Sequence, residues 1–316
     1  MLTYVLFIFG FIILIKGADY LVEGASAIAK RFGLSPLFIG LTIVSMGTSA
    51  PELFVNVTAS LGGSAGITIG NILGSNIANI LLILGISAII YPLTVHRNTI
   101  RKEIPFSLLA VAMVGILAND KFIDGYNFNF LSRSEGLALL SFFIIFMYYV
   151  AGIMKSEKQD VDIKDRSFLV SSLMIIGGLI GLALGSQFIV DGGIAIAKLF
   201  GLSEAFIGLT IIAVGTSLPE LAASAAAAYK RKVDIAIGNV VGSNIFNIFL
   251  VLGISSTISP IEFSPALNTD ILIVIAVTIL LVLSMFVGKK QVLQRWQGGL
   301  FVAFYLFYIS FLIYRG

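Results

Sequence analysis

Gly40-Leu-Thr-Ile-Val-Ser-Met-Gly-Thr-Ser-Ala-Pro-Glu-Leu53 returns as Gly208-Leu-Thr-Ile-Ile-Ala-Val-Gly-Thr-Ser-Leu-Pro-Glu-Leu221, identical at 10 of 14 positions. Gly70-Asn-Ile-Leu-Gly-Ser-Asn-Ile-Ala-Asn79 returns as Gly238-Asn-Val-Val-Gly-Ser-Asn-Ile-Phe-Asn247. Both pairs are offset by 168 residues, and the register holds without a gap from Gly17/Gly185 to Val95/Phe263. The repeated residues are polar or helix-breaking, yet they lie inside apolar stretches. A demand for packing alone would repeat the apolar residues first. A duplicated polar motif at bilayer depth therefore points to a two-sided site for a charged ligand.

The surrounding sequence sets the medium. Hydrophobic residues make up 58% of the chain and charged residues 12%, with a mean hydropathy of +1.03. A soluble domain carries about 25% charged residues. Ten segments are long enough to cross a hydrocarbon core, which takes roughly 20 apolar residues. They run approximately over 2–25, 37–61, 68–91, 103–119, 134–154, 168–190, 205–228, 236–258, 268–287 and 296–314. The first runs straight into the repeat and reads as a membrane helix, not a cleaved signal. Cysteine is absent, so disulfides and thiolate metal sites do not arise. The net charge of +3 is no nucleic-acid signal, because the basic residues sit in loops between apolar segments.

The expected fold class is an all-α membrane protein of ten transmembrane helices in two inverted five-helix repeats, with both termini outside. Residues 1–154 form the first half, 155–167 a charged cytoplasmic linker and 168–316 the second half, together one membrane domain. An odd number of helices per half forces the second copy into the membrane upside down. Loop charges support this. With the N-terminus outside, the inner segments 26–36, 92–102, 155–167, 229–235 and 288–295 hold 15 Lys and Arg residues. The outer side keeps only Lys121, Arg133, Lys198 and Arg315, a split that the positive-inside rule resolves.

The motif has its own chemistry. Proline donates no amide and its ring clashes with the carbonyl four residues earlier, so Pro51 frees the carbonyl of Gly47 and Pro219 that of Gly215. Gly47 and Gly215 are expected to let the backbone bend. Ser45, Thr48, Ser49 and Glu52 share one helical face, and Ala213, Thr216, Ser217 and Glu220 repeat it. Asn71, Ser75 and Asn79 are spaced by four, as are Asn239, Ser243 and Asn247. Carboxylate, hydroxyl, amide and loosened carbonyl oxygens are hard ligands, suited to Na⁺, Ca²⁺ or Mg²⁺. A glutamate at the bilayer centre costs about 2.5–3.5 kcal/mol on insertion scales, and a shared cation would offset two of them. The plainer alternative is a pair of protonated, hydrogen-bonded packing residues. Gly70/Gly74 and Gly238/Gly242 read as close helix-packing positions.

The doubled GTSxPE block followed by GNxxGSNIxN resembles the two α-repeats of the prokaryotic Na⁺/Ca²⁺ exchanger family of the Ca²⁺/cation antiporter superfamily. The resemblance covers nearly the whole chain. It implies ten helices with ion sites between the second, third, seventh and eighth. By motif position, Glu52 and Glu220 would be the shared carboxylates that bind Ca²⁺ or Na⁺ alternately. Thr48 and Thr216 would add backbone oxygens to the Ca²⁺ site. Ser49, Ser75, Ser217 and Ser243, with the carbonyls of Ser45 and Ala213, would complete Na⁺ sites, beside Asn79 and Asn247. Several relatives, K⁺-dependent ones included, carry Asp at one of the last two positions. Two asparagines here leave two formal charges, which balance one Ca²⁺ and imply K⁺-independent exchange. The resemblance also suggests that the first and sixth helices, rich in glycine, slide across the core as the gate.

The expected function is thus a secondary antiporter working by alternating access in a prokaryotic inner or plasma membrane. It would need no cofactor and no nucleic acid, and would function as a monomer in the lipid bilayer with Ca²⁺ and Na⁺ as transported ions. Three alternatives remain open. An H⁺/Ca²⁺ antiporter would use the glutamate pair for protons. A channel would need a continuous pore. An intramembrane enzyme would need a nucleophile with its base, and none is visible. His96 and the charges from Lys155 to Arg166 read as solvated loop, and Trp296 as an interfacial anchor.

Overall fold

In hydrocarbon every backbone polar group must be satisfied within the protein, and helices do this segment by segment. The computed structural model describes residues 2–62, 66–125, 127–154, 166–200 and 213–315. The helices that matter are α1 (Leu2–Phe32), α2 (Pro36–Thr48), α3 (Ala50–Leu61), α4 (Thr68–Ile90), α5 (Glu103–Leu117) and α6 (Arg133–Gly152). They are followed by α7 (Phe168–Leu199), α8 (Ala213–Thr216), α9 (Leu218–Tyr229), α10 (Val233–Ile258), α11 (Leu267–Ser284) and α12 (Arg295–Arg315).

Local chemistry sets several starts. Ser35 caps α2, its side chain accepting from the Phe38 amide at 3.0 Å, with Pro36 in the first turn. Ser132 and Glu135 form a reciprocal capping box at α6. Ser167 caps α7. Trp296 stands half-exposed at the start of α12.

Among the described residues, seven helices are long and apolar enough to cross a membrane, or eight if the bent pair α2–α3 counts as one span. Two expected spans fall outside that count for identifiable reasons. The 103–119 segment is a helix of only 15 residues, about 22 Å at 1.5 Å per residue. A separate turn, Arg97–Arg101, precedes it. In the 205–228 segment, residues 205–212 lie outside the described set, and the remainder is α8 and α9.

The helices carrying the repeated asparagines sit at the centre. Within their apolar windows α10 is 94% buried and α4 78%, against 22–39% for the other single-helix spans. The largest apolar cluster gathers around them, from Ile69 and Leu73 to Phe246 and Phe249. A second cluster joins Leu21, Val22 and Ala25 of α1 to Leu182 of α7 and Ile39 of α2.

Glycines bring α1 and α7 together. A Cβ on Gly17 would lie 2.8 Å from the Leu182 amide, and one on Gly178 2.6 Å from the Leu21 amide. Gly185 stands 2.7 Å from Leu14 in the same sense, and Gly24 2.7 Å from the Ser171 carbonyl. The contact runs forward on one helix and backward on the other, so the two lie antiparallel. Gly10, Gly17 and Gly24 recur as Gly178, Gly185 and Gly192 at the 168-residue offset.

Four two-residue strands tie the halves. Leu93–Thr94 (β1) pairs antiparallel with Val292–Leu293 (β4), and Phe130–Leu131 (β2) with Ile261–Glu262 (β3). β3 is the counterpart of β1 at the same offset, so one kind of pairing occurs twice with the halves exchanged. At the periphery, the Tyr149 hydroxyl donates to Glu103, joining α6 to α5. Tyr308 donates to Asp270 at 3.1 Å and joins α12 to α11.

Candidate cation site

The two repeated PE motifs break their helices at matching places. α2 meets α3 at an angle of 45° with Ser49 between them, φ −83° and ψ 5°. Ser217 holds φ −88° and ψ 4° between α8 and α9. Pro51 and Pro219 fall in the first turn of the following helix, where a missing amide costs least. The bends therefore sit on the serines, not on Gly47 and Gly215 as the sequence suggested. Those glycines instead admit side chains of α7: Leu179 lies against Gly47 and Val190 against Gly215. Ser45, Thr48, Ser49 and Glu52 consequently occupy two helices and a hinge and not one continuous face.

The polar residues are nonetheless buried together. Ser45, Thr48, Ser49, Glu52, Ser75, Asn79, Ser217, Glu220, Ser243 and Asn247 are all no more than 3% exposed. Thr216 is partly buried, and Ala213 opens α8 at the edge of the described residues. Direct bonds cross between the copies. The Ser49 hydroxyl donates to Glu220 Oε1 at 3.0 Å. Thr48 Oγ1 lies 3.1 Å from Asn239 Oδ1 and 3.3 Å from the Ser45 carbonyl, one donor between two acceptors. Asn239 Nδ2 donates to the Glu220 carbonyl at 3.3 Å and to Ser224 Oγ at 2.9 Å. In the first copy Asn56 Nδ2 donates to the Glu52 carbonyl at 2.8 Å.

Two further residues, to which the sequence pattern assigns no role, orient the central amides. Asn79 Nδ2 donates to Asn244 Oδ1 at 2.9 Å, and Asn247 Nδ2 donates to Asn76 Oδ1 at 3.2 Å. Asn76 and Asn244 bond each other's carbonyls in return, at 3.2 and 3.5 Å. Their signal is present in the sequence: Gly-Ser-Asn stands in both copies at the common offset. With their amide nitrogens turned to these acceptors, Asn79 and Asn247 keep Oδ1 free as an acceptor. Both belong to π-helical turns, Asn79–Ile83 and Phe246–Leu252, a distortion common at functional sites.

Among the described residues, twelve buried side-chain oxygens have no hydrogen-bond partner. Seven of them belong to expected ligands: Glu52 Oε2, Ser75 Oγ, Asn79 Oδ1, Ser217 Oγ, Glu220 Oε2, Ser243 Oγ and Asn247 Oδ1. Buried polar atoms are ordinarily paired, so such a concentration marks a place built for something that accepts oxygen lone pairs. No group of three His, Cys, Asp or Glu side chains suited to a metal occurs among the described residues, so the donor set is mixed and mostly neutral.

A cavity of about 590 Å³ adjoins this centre. Gly47, Pro51, Gly215 and Pro219 line one wall, and Leu179, Ser186 and Val190 of α7 the other. Ser186 also donates to the Gly215 carbonyl at 2.7 Å, supplying the partner that Pro219 removes. The expected packing glycines are found in part. Gly238 meets Leu37 and Leu41 with 2.9 Å left for a Cβ, and Gly242 meets Ser45 at 2.6 Å. Gly208, the counterpart of Gly40, lies outside the described residues.

Outside the centre, two residues expected to be solvated loop have partners. His96 Nε2 lies 3.3 Å from Asp234 Oδ1. Arg166 pairs with Glu23 at 2.9 Å, joining the linker's end to α1. Residues 155–165, the rest of that linker, are outside the described set.

Comparison with known proteins agrees with this geometry. The sodium/calcium exchanger protein family matches residues 2–152 and 170–314. The inner membrane protein YrbG of Escherichia coli (strain K12) is 40% identical over 296 residues, 90% of this chain and 88% of that one. The sodium/calcium exchanger MaX1 of Methanosarcina acetivorans is 31% identical over 348 residues, 98% and 97% of the two chains. A solved structure of the sodium-calcium exchanger NCX_Mj, soaked with zero Na⁺ and Ca²⁺, superposes with a TM-score of 0.84 at 35% identity, covering 98% of this chain and 99% of that one. Buried unpaired oxygens, paired helix breaks and agreement along almost the full length lead to one conclusion: the chain is a multi-pass membrane protein of the sodium/calcium exchanger family, a family of cation antiporters.

Proposed function

We propose that the protein exchanges Na⁺ for Ca²⁺ by alternating access, with Glu52 and Glu220 as shared central ligands. Thr48, Thr216, Ser49, Ser217, Ser75, Ser243, Asn79, Asn247 and the backbone oxygens of Ser45 and Ala213 complete the donor set. The observation that carries this reading is the group of seven buried oxygens without a donor. A cation turns each from a cost into a ligand. Two carboxylates balance one Ca²⁺, and neutral hydroxyl and amide oxygens suit Na⁺ when Ca²⁺ has left. With asparagine at both 79 and 247 there is no third carboxylate, which favours exchange without K⁺.

In this reading the chain has ten spans in two inverted halves, 1–154 and 168–316, joined by a cytoplasmic linker, 155–167, with both termini outside. The antiparallel α1–α7 contact at equivalent glycines and the twice-occurring strand pairing support the inversion. Two halves of opposite orientation can exchange conformations and so present one site to either side. The α1–α7 pair is the moving element and the other helices the core. A single chain in the bilayer suffices, and the activity is transport, not catalysis.

The test is Ca²⁺ uptake into proteoliposomes loaded with Na⁺ and diluted into Na⁺-free buffer. Radiolabelled Ca²⁺ is expected to accumulate only with the outward Na⁺ gradient, and Glu52→Gln or Glu220→Gln to abolish it. Uptake that ignores Na⁺, or that follows an imposed pH or K⁺ gradient instead, sinks the proposal. Net charge movement would also make uptake sensitive to voltage, at about 2.3 kcal/mol per elementary charge per 100 mV.

A further inference from the structure

Of the five unpaired buried oxygens outside the proposed ligand set, Ser87 and Ser255 are counterparts at the 168-residue offset, and Glu103 has its other oxygen bonded by Tyr149. Ser60 Oγ and Thr68 Oγ1 remain, 2% and 0% exposed. A helical hydroxyl normally settles by donating to the carbonyl one turn back. Ser26, Thr42 and Thr278 do so here at 2.6, 2.6 and 2.7 Å. Ser60 does not, and Thr68, in the first turn of its helix, is likewise without a partner, the residues one turn back from it lying outside the described set.

Their place in the fold explains what they could serve. Glu52, Asn56 and Ser60 follow one another along α3 at intervals of one turn, about 5.4 Å. On α4 the facing series is Ser75, Asn71 and Thr68. Asn71 Nδ2 donates to Asn56 Oδ1 at 3.4 Å, which fixes the level of the two helices. One turn further from the centre, four residues on along α3 and three back along α4, the same level is occupied by Ser60 and Thr68. The second half has the same ladder only as far as its middle rung, where Asn239 Nδ2 donates to Ser224 at 2.9 Å. Its next rung is Ala228 and Ala236, both 0% exposed. The oxygen ladder is therefore one step longer in the first half, and the extra step is buried and unsatisfied.

We propose that Ser60 and Thr68, above Asn56 and Asn71, form a further subsite for a small monovalent cation of the Na⁺ class, at the end of α3 remote from the hinge. The site deepens the antiport reading and rests on it for the identity of the ion. Its donors are neutral hydroxyl and amide oxygens, too weak a set to strip a divalent ion, which draws on carboxylates. A monovalent ion held there would stand in line with Glu52, two turns along α3, with the Asn56/Asn71 rung between. The matching level in the second half, with alanine on both helices, offers it nothing.

The absence of cysteine makes the test direct. Ser60→Cys and Thr68→Cys are introduced singly, with Ala228→Cys and Ala236→Cys as the matched pair. The purified, monodisperse variants are exposed to Ag⁺, a monovalent thiol-reactive cation, with and without Na⁺. Cysteines at 60 and 68 are expected to react, and Na⁺ to slow them. Cysteines at 228 and 236 are expected to stay unreactive. Adding Thr68→Val to Ser60→Cys should raise the Na⁺ concentration needed for protection by about tenfold, which corresponds to about 1.4 kcal/mol. Reaction that Na⁺ does not alter would assign the pair to a buried water, and either that result, no reaction at 60 and 68, or equal reaction at 228 and 236 overturns the proposal. Labelling needs no transport, so the result stands apart from Na⁺-driven Ca²⁺ uptake by the unmodified chain.

Discussion

The Ser186 hydroxyl donates to the Gly215 carbonyl at 2.7 Å, while the residue 168 positions earlier, Ala18, has no hydroxyl to offer Gly47. The two copies therefore treat the same defect differently. Pro219 removes the helical donor from Gly215, and α7 supplies a replacement across the wall of the cavity. This bond fastens the long helix to the second broken helix alone. It adds to the differences between the copies already seen at Ser49, which donates to Glu220, and Ser217, whose hydroxyl has no partner.

Replacing Ser186 by Ala leaves a buried carbonyl without a partner, a loss of about 1–3 kcal/mol. Ser186→Ala is expected to lower the unfolding temperature of the detergent-solubilised protein, and Ser186→Thr to retain most of it. Scanning fluorimetry on the three proteins checks this. Equal melting temperatures would mean that water from the adjoining cavity takes over the bond.

The α1–α7 interface should be intolerant of a single methyl group. A Cβ at Gly178 would stand 2.6 Å from the Leu21 amide and one at Gly17 2.8 Å from that of Leu182, distances at which backbone must move. Overpacking of this kind costs about 1–3 kcal/mol. Gly17→Ala and Gly178→Ala are expected to lower both thermal stability and Na⁺-dependent Ca²⁺ uptake. Gly177→Ala, whose Cβ meets nothing within 4 Å, should change neither. Uptake and melting measured on the same preparations decide the matter, and a normal Gly178→Ala protein would contradict the close approach.

The central amides should depend on their partners. Asn244 Oδ1 takes a hydrogen from Asn79 Nδ2 at 2.9 Å and so keeps the Asn79 oxygen available. Groups that orient a ligand from behind typically account for roughly 10- to 100-fold in metal affinity. Asn244→Ala is expected to weaken the apparent Ca²⁺ affinity of uptake within that range without removing any proposed ligand. Asn247→Asp adds a third carboxylate beside two others. Its uptake should become more pH-dependent than that of the parent, read from Ca²⁺ flux between pH 6 and 8. If Asn244→Ala leaves affinity intact, Asn79 is not held as a ligand.

The positions of Glu52 and Glu220, the helix breaks and the central place of α4 and α10 are legible because polar and breaking residues recur in an apolar sequence at one offset. The bend expected at Gly47 and Gly215 lies two residues on, at Ser49 and Ser217. Proline states which carbonyl loses its donor, but it sits in the first turn of the following helix, so the chain turns just before it, while Leu179 and Val190 lie against the glycines. The π-turns at Asn79 and Asn247 leave no mark in residue type, since they depend on how neighbouring helices load the backbone. Asn76 and Asn244 are visible as letters but not as orienters. Their role is a contact between copies, and an offset cannot say which residues of the two copies meet. The short α5 shows the opposite failure: the expected span extends to 119, but the helix stops at Leu117, with the following Ala118 at φ −90° and ψ 1°.

The loop between α9 and α10 carries a pH signature. Lys230 reaches Asp19 at 3.0 Å and Glu23 at 3.1 Å, bracing this loop against α1. Its neighbour Lys232 is half-buried, and burial, with Lys230 nearby, pushes its ammonium down to about 8, against an opposing pull from Glu23. An unfolded chain would hold that proton up to about 10.5. Below pH 8 both states carry the proton, and the full cost of burying the charge falls on the folded state. Between pH 8 and about 10.5 the unfolded state binds more protons than the folded one, so this residue's contribution to stability rises with pH. Lys232→Gln is therefore expected to be the more stable protein below pH 8, with the advantage shrinking towards pH 10. Melting curves of the two proteins across that interval measure it. Curves that run parallel from pH 7 to 10 would show that the Lys232 amine keeps its ordinary affinity for protons and faces water.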